Sequence, residues 1–283
     1  MALNTVSSDR LSTNVKNTNF TAAEKQDLTD DIKPLLGSSG GGSKNLIING
    51  AMQVAQRGTS STSNGCQTVD RFHVITNGVD EAPTQAQVDV ASGTTPYTSG
   101  FRKAYRITNG NQTGGAGVSD YISIKYEIEA QDIASSGWNY TDTNSFITLS
   151  FWVKSSVAQN FFGYIKTFDG SDYHYPFETG SLSADTWTKV TKTISGNSNL
   201  QFDSNVEKGF QIHISQFWGT NNTSNSITLD QWVSWNGLQR TKDSTSTWYT
   251  TNDATFEITG VQLEVGSVAT DFEHRSFAQE LAL

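Results

Sequence analysis

The sequence contains a single cysteine, no long apolar run and no cluster of basic residues, and each absence excludes a class of protein. Cys66 alone forms no internal disulfide, so the fold does not depend on oxidation. No apolar stretch approaches the roughly 20 residues of a membrane helix, so we expect no membrane insertion. The formal net charge is −9 and no basic face is evident, which makes nucleic acid a poor partner hypothesis. The N-terminus lacks the basic start and apolar core of a secretory signal, which favours synthesis in a cytoplasm.

Catalytic motifs are absent from the sequence as well. It has no Gly-x-Ser-x-Gly elbow, no phosphate-binding loop and no His-Glu-x-x-His motif. No histidine has a second His or Cys at metal-ligand spacing. Neither Glu127 with Glu129 nor Asp169 with Asp172 shows a sign of the raised pKa that an acid–base pair requires. We therefore predict no catalytic residue and no enzyme, with a polysaccharide-cleaving enzyme as the alternative from another class.

One acidic turn leaves a question about cofactors open. The turn from Asp169 to Asp172 supplies oxygen atoms of the kind that calcium binds. The spacing matches no strict calcium motif, and Asp and Gly are common in turns. We expect no cofactor and no metal ligand, and a structural calcium ion stays as the alternative.

The chain is rich in aromatic and small polar residues. Phe, Trp and Tyr make up 11% of it and charged residues 17%, a mixture that is typical of β-sheets joined by polar turns. Period-two alternation predicts strands at residues 45–56, 70–76, 85–90, 101–108, 120–130, 145–154, 160–168, 173–179, 186–195, 209–218, 226–235 and 255–265. With no helical pattern between them, these strands predict an all-β fold, a two-sheet jelly-roll sandwich.

Alternation also assigns faces and locates an irregularity. In the strand at 145–154, Trp152 lies opposite the predicted core face, which holds Ile147, Leu149, Phe151 and Val153. A loop or a neighbouring chain is needed to cover Trp152. In the strand at 255–265, one phase holds Phe256 and Ile258, and the other holds Val261, Leu263 and Val265. The phase changes at Gly260, so one residue is inserted there and we predict a β-bulge.

The first 42 residues differ from the rest of the chain. Thr21 and Glu24 form a capping-box pattern, and Leu28 and Ile32 follow at apolar positions, which predicts a short helix at about residues 22–33. A helix of this length is marginal alone and needs a surface to dock on. The run GSSGGGS at 37–43 is typical of a flexible linker. We therefore predict an N-terminal arm with a short helix and a Gly/Ser linker at 1–42, followed by a jelly-roll domain at 43–283.

Aromatic residues at predicted strand ends and in loops are the best candidates for a binding site. Aromatic rings stack on the apolar faces of sugars while their polar edges tolerate water. The alternative is that most of the Trp side chains fill the core or an oligomer interface. The candidate glycan-contact residues are Tyr173, His174, Tyr175, Trp218, Trp248 and Tyr249.

Several segments resemble a module that recurs in phage and prophage tail-fibre proteins. Its start is similar to NLIINGAMQVAQRGTS at 45–60 with VDRF at 69–72, and its end is similar to FEITGVQLEVGSVATDFEHRSFAQEL at 256–281. The inner strands of its carbohydrate-binding-like jelly roll resemble ITLSFWVKSS at 147–156 and DTWTKVTKTISGNS at 185–198. The first 31 residues are similar to the N-termini of structural proteins in marine phages, particularly cyanophages.

The resemblance implies a non-enzymatic structural protein of a tailed phage, made in the host cytoplasm and carried on the virion. It implies a displayed fibre or adhesin with host surface polysaccharide as its candidate ligand and, as in similar fibre proteins, a homotrimer. The N-terminal arm then binds capsid or tail proteins of the particle, with Thr21, Glu24, Leu28 and Ile32 in the anchoring helix. A capsid decoration protein or head fibre is the alternative. The family defines no catalytic residues.

Overall fold

A computed structural model of the protein describes residues 44–283. Asn45–Leu283 forms one structural unit. The predicted N-terminal arm and the anchoring helix with Thr21, Glu24, Leu28 and Ile32 lie outside the described residues, so their roles stay predictions. Within residues 44–283, no helix combines the length and the apolar character needed to cross a membrane.

The described residues form two antiparallel sheets of six strands each. In the order in which they pair, the strands of the first sheet are Ser60–Ser61 (β1), Thr84–Asp89 (β3), Lys103–Thr108 (β4), Thr255–Val265 (β12), Phe146–Ser155 (β6) and Thr188–Ser195 (β9). Those of the second sheet are Val233–Ser234 (β11), Tyr173–Ser181 (β8), Asn160–Thr167 (β7), Lys208–Trp218 (β10), Tyr121–Glu129 (β5) and His73–Asn77 (β2). The helices in this part of the chain are short and comprise Thr95–Thr98, Ala130–Ala134 and Phe277–Ala282. The predicted all-β, two-sheet jelly-roll sandwich is confirmed.

The core lies between the two sheets and is filled by alternating side chains of both. In β6 the four residues predicted for the core face are fully buried: Ile147, Leu149, Phe151 and Val153. In β5 the core face holds Ile122, Ile124, Tyr126 and Ile128, while Lys125 and Glu127 between them point to the opposite face. Burying one such apolar side chain contributes about 1.5–3 kcal/mol. The outer face of each sheet carries polar side chains together with a smaller set of aromatic ones.

Strand β12 carries the bulge expected at Gly260. Thr259 pairs with Trp152 and Gln262 pairs with Ser150, so β12 advances by one residue more than β6 between these two pairs. Gly260 has a φ of 62°, in the left-handed region. The predicted bulge is confirmed.

Two predicted strands differ from the structure, in which one is absent and the other is much shorter. Residues 45–56 contain no strand, because Asn49 and Met52 have φ angles of 60° and 58° and turn the chain. The Asn49 side chain replaces the hydrogen bonds of a strand partner, since its Oδ1 accepts from Val54 N and its Nδ2 donates to Val54 O, each at 2.9 Å. The apolar residues of this segment are therefore explained by their burial and not by a strand. Of residues 226–235, only β11 pairs as a strand.

Asn45 ties the start of the described domain to β12. Its Oδ1 accepts from Leu263 N at 3.0 Å, and its Nδ2 donates to Val261 O at 3.1 Å. The backbone continues the pairing, with Leu46 N donating to Leu263 O at 2.9 Å. The two segments that resemble the start and end of one module are therefore packed against each other.

The C-terminal segment closes over the same region. Arg275 donates to the backbone oxygens of Asn45 and Ile47, and its Nη1 lies 3.7 Å from the Glu280 carboxylate. Glu280 is 5% exposed and accepts a hydrogen bond of 2.6 Å from Asn49 N. The helix Phe277–Ala282 is thus held by a buried carboxylate on its inner face.

Most large aromatic side chains are covered by the chain itself. Trp152 packs with Phe101, Trp187 and Phe272 in a small second cluster on the outer face of the first sheet. Among residues 44–283, the one exposed large aromatic side chain is Phe277. Of the two covers expected for Trp152, a loop or a neighbouring chain, residues of the same chain provide one. The homotrimer stays a prediction that rests on the sequence resemblance.

Candidate functional site

A cleft of about 260 Å³ lies on the face of the second sheet that points away from the core. Its floor follows two cross-strand rows. Tyr164 of β7, His213 of β10 and Lys125 of β5 are neighbours in one row, and Lys166 and Gln211 are neighbours in the next. Because side chains alternate along each strand, the apolar residues between them face the core. We call this site the second-sheet cleft.

Aromatic rings line both the floor and the rim of the second-sheet cleft. Trp218, at the end of β10, lies in the floor with its ring centroid 4.4 Å from that of Tyr121. Trp235, one residue beyond β11, stands at the rim, 5.6 Å from Tyr164 and 5.1 Å from His174. Trp218 is 1% exposed, whereas Tyr121 and Trp235 are half-buried and offer part of each ring to solvent. The cleft thus presents aromatic surfaces whose positions are fixed by packing.

A continuous chain of hydrogen bonds connects the polar groups of the floor. The Trp218 indole donates to Ser215 Oγ, and the hydroxyls of Ser215 and Ser123 lie 2.8 Å apart. Ser123 Oγ is 3.1 Å from His213 Nδ1, and His213 Nε2 is 3.0 Å from Gln211 Oε1. Linked hydrogen bonds of this kind strengthen one another and restrict the rotamers of every member. The floor is therefore preorganised.

Two histidines of this face, His213 and His174, are held neutral by their surroundings. Burial, and then the charges of Arg240, Lys125 and Lys166, keep the pKa of His213 well below 6.5. Burial lowers the pKa of His174 to about 4. A neutral imidazole accepts one hydrogen bond and donates another, which is what the floor network requires of His213.

The charged residues that line the described cleft are all basic: Lys125, Lys166 and Arg240. Lys166 Nζ pairs with Asp172 at 2.6 Å, and Lys125 Nζ pairs with Glu127 at 3.2 Å, with both carboxylates outside the lining. The Arg240 guanidinium lies over the Trp218 ring, 4.4 Å from its centroid. The cleft therefore carries one positive charge that no carboxylate compensates, that of Arg240, in a chain whose net charge is −9.

The structure does not bring the predicted glycan-contact residues together. Trp218 and His174 lie on the cleft face, but both are buried, Trp218 beneath Arg240 and His174 against Trp235. Tyr173 is half-buried and packs against the core. Trp218 and His174 thus shape the cleft from below and leave its accessible surface to other residues.

The prediction is wrong for Tyr175, Trp248 and Tyr249, which belong to the hydrophobic core. Trp248 is fully buried and donates its indole N–H to Thr255 O at 3.0 Å. Tyr249 stacks on Phe217 with ring centroids 4.5 Å apart. Their loop-like sequence context concealed a long-range packing role, and no glycan reaches side chains that are this deeply buried.

Sequence reasoning missed three of the accessible residues of the cleft, Tyr121, Trp235 and Arg240. The sequence pattern could have identified Tyr121, because it alternates to the same outward face of β5 as Lys125. Trp235 and Arg240 lie in the long connection that follows β11, and their positions depend on distant backbone hydrogen bonds such as that of Trp235 N to Asp172 O at 2.9 Å. No local pattern in the sequence carries that information.

A larger cavity, of about 510 Å³, lies on the outer face of the first sheet beside the bulge. Trp152 lines it together with Phe101, Phe272 and His274. These last three rings pack on one another, with centroids 4.9–5.1 Å apart. Rings that cover each other leave less ring face for a ligand. We therefore take the second-sheet cleft, where aromatic and basic groups converge, as the candidate site.

The acidic turn considered for calcium has other partners. Asp169 is buried and accepts a hydrogen bond of 3.0 Å from Asp203 N, while Asp172 pairs with Lys166. A calcium ion bound by both carboxylates has to displace Lys166. In the part of the chain that the structure describes, no group of three or more His, Cys, Asp and Glu side chains is arranged to hold a metal.

Glu127 borders the cleft without the properties of a catalytic acid. Burial alone raises its pKa, but the hydrogen bond from Gln211 and the charge of Lys125 outweigh that effect and lower it below the ordinary value. A general acid needs the opposite shift. Glu127 therefore acts as a fixed anion that orients Gln211 and Lys125.

Comparison with protein-family models finds no match, and neither does comparison with curated protein sequences. Among solved structures, an enzymatically active tailspike domain of bacteriophage CBA120 is similar over 79% of this chain and 22% of its own, with 11% identity and a TM-score of 0.39. This chain thus spans less than a quarter of that tailspike chain.

Two sugar-binding structures are similar as well. TmCBM61 in complex with β-1,4-galactotriose matches over 80% of this chain and 100% of its own, with 9% identity and a TM-score of 0.35. The N-terminal cellulose-binding domain of Cellulomonas fimi β-1,4-glucanase C matches over 77% and 99%, with 10% identity and a TM-score of 0.34. At TM-scores below 0.5 these similarities carry no argument about what this chain binds.

Proposed function

We propose that this chain is a non-enzymatic protein that binds an oligosaccharide in the second-sheet cleft. The observation that supports the proposal most strongly is the convergence of two half-buried aromatic rings, Tyr121 and Trp235, with fixed polar groups on an open sheet face. Aromatic faces stack on the apolar faces of sugars, and amide and ammonium groups hydrogen-bond sugar hydroxyls.

The geometry favours binding without large rearrangement. Gln211 donates to Glu127 at 2.8 Å, and Trp218 and His213 are held by the floor network. Binding therefore immobilises few additional side chains, and this lowers the entropic cost of association.

We further propose that the protein is carried on the virion of a tailed phage as a displayed fibre or adhesin, with a host surface polysaccharide as its ligand. The resemblance of residues 45–60 and 256–281 to one tail-fibre module supports this location. The hydrogen bonds that join these two segments, from Leu263 N to Asn45 Oδ1 and from Leu46 N to Leu263 O, agree with their origin as one unit. Anchoring through the N-terminal arm, either to the tail or to the capsid, belongs to the same proposal.

The test replaces one tryptophan on each sheet. Purified Trp235→Ala and Trp152→Ala variants are compared with the unmodified chain on an array of bacterial surface polysaccharides and by calorimetry with each bound glycan. Loss of a central aromatic contact is expected to weaken binding about tenfold or more, so Trp235→Ala binds weakly. Trp152→Ala, which changes the cavity on the other sheet, retains full affinity.

Two results contradict the proposal. Equal affinity of both variants removes the second-sheet cleft as the site, and selective loss in Trp152→Ala moves the site to the first sheet. Sustained release of oligosaccharides from a bound polysaccharide, abolished by a single carboxylate substitution, favours the alternative of a polysaccharide-cleaving enzyme.

A further inference from the structure

Arg240 differs from the other basic residues of the second-sheet cleft because it has no acidic partner. Lys166 and Lys125 each pair with a carboxylate, whereas no Asp or Glu within residues 44–283 forms an ion pair with Arg240. The Nε atom of Arg240 is buried without a hydrogen-bond partner. The guanidinium instead lies 4.4 Å from the Trp218 ring centroid and 5.8 Å from that of Trp235.

An unpaired guanidinium in this position is incompletely stabilised. Indole faces compensate part of its lost hydration through cation–π attraction. Its remaining N–H groups have the fork geometry that binds a carboxylate or sulfate by two parallel hydrogen bonds. Trp235 is half-buried beside it, so a sugar ring stacked there brings its substituents to Arg240.

We propose that the second-sheet cleft selects acidic oligosaccharides, in which Arg240 binds a carboxylate or sulfate group while Trp235 contacts the sugar ring. The inference rests on the proposed function and adds the ligand class to it. It is supported by the lining of the described cleft, which includes Lys125, Lys166 and Arg240 and no acidic residue. The chain as a whole is acidic, at −9, so a positive cleft does not follow from composition.

The experiment measures the affinity of the full chain for three oligosaccharides of equal length by calorimetry. The probes are an oligogalacturonate, a sulfated galacto-oligosaccharide and a neutral galacto-oligosaccharide, each at about 50 mM and about 500 mM NaCl, where screening differs strongly. Arg240→Gln is compared with Arg102→Gln, which removes the same charge from an arginine that lies 3.9 Å over the Tyr97 ring near the start of β4. Circular dichroism and thermal unfolding confirm that both variants fold.

We expect at least one acidic probe to bind more tightly than the neutral one and to lose affinity at high salt. Arg240→Gln is expected to weaken that acidic probe by about tenfold to a hundredfold, the range for a charge-assisted hydrogen bond, and the neutral probe by less than about twofold. Arg102→Gln leaves all three affinities unchanged. Comparing the two acidic probes distinguishes a carboxylate from a sulfate.

The remaining outcomes overturn either the acidic selectivity alone or the proposed function as well. Equal affinity for acidic and neutral probes, or an equal loss for both in Arg240→Gln, overturns the acidic selectivity while leaving glycan binding in place if Trp235→Ala still abolishes it. Failure of all three probes, together with a negative polysaccharide array, overturns the proposed function and this inference with it.

Discussion

At the scale of single residues, Gly260 determines where β12 changes its partner. Before the bulge, Ile258 pairs with Tyr105 of β4. After it, Val261 N donates to Gly50 O at 3.0 Å, so the irregular opening segment takes the place of β4. A Cβ at Gly260 would lie 2.5 Å from Cζ of Phe101. The missing side chain therefore permits both the left-handed backbone and the approach of the Phe101 ring.

Replacing Gly260 with valine is expected to destabilise the domain by about 2–4 kcal/mol, since a strained φ and an overlap with Phe101 act together. Gly115→Val is the matched control, because Gly115 has a φ of 79° and open space around its Cβ position. The control bears only the backbone cost, about 1–2 kcal/mol. Urea unfolding of the two variants measures both values, and equal losses would show that contact with Phe101 is immaterial.

At the scale of elements, most strands were predictable because each alternates over enough residues to define a face. Strand β12 has the predicted bounds, and β5 and β6 differ from theirs by about one residue at either end. The segment 45–56 was not predictable, because its buried apolar residues mimic a strand while the Asn49 side chain supplies the hydrogen bonds of a turn. The cleft was predictable only in part. The outward position of a strand residue such as Tyr121 follows from the alternation of side chains along β5, whereas the position of Arg240 depends on the long connection after β11.

The C-terminal helix Phe277–Ala282 depends on one buried carboxylate. Glu280→Ala is expected to cost about 1–3 kcal/mol, because it leaves Asn49 N without an acceptor and removes a carboxylate that lies 3.7 Å from Arg275. Gln279→Ala, which removes half of the capping box with Ser276 at the exposed N-terminus of the helix, costs about 0.5–1 kcal/mol. Chemical denaturation of both variants tests the ranking, and a smaller loss for Glu280→Ala than for Gln279→Ala contradicts it.

At the scale of the whole molecule, the binding face and the closing contacts occupy different sheets. The second-sheet cleft lies on β5, β7 and β10, whereas Asn45 and the C-terminal segment are joined to β12 of the first sheet. The contacts that hold Asn45 thus share no strand with the second-sheet cleft.

Deleting residues 1–36 is expected to leave a folded domain that keeps glycan binding and no longer enters phage particles. Thermal unfolding and glycan affinity of the truncated chain provide the control for folding, and particle incorporation is read by mass spectrometry of purified virions. Normal incorporation would remove the anchoring role of the arm.

Sedimentation equilibrium on the same truncated chain is expected to show a trimer, and a monomer at micromolar concentration would assign trimerisation to the arm or to the particle.

The hydrogen bonds between Asn45 and β12 also decide where mechanical tension enters the domain. A pull at Lys44 first loads the hydrogen bonds of Asn45 and Leu46 to Val261 and Leu263, in the part of β12 that pairs with β6 on its other side. Traction on this end of the domain is therefore carried by those bonds before it reaches the pairing of β12 with β6.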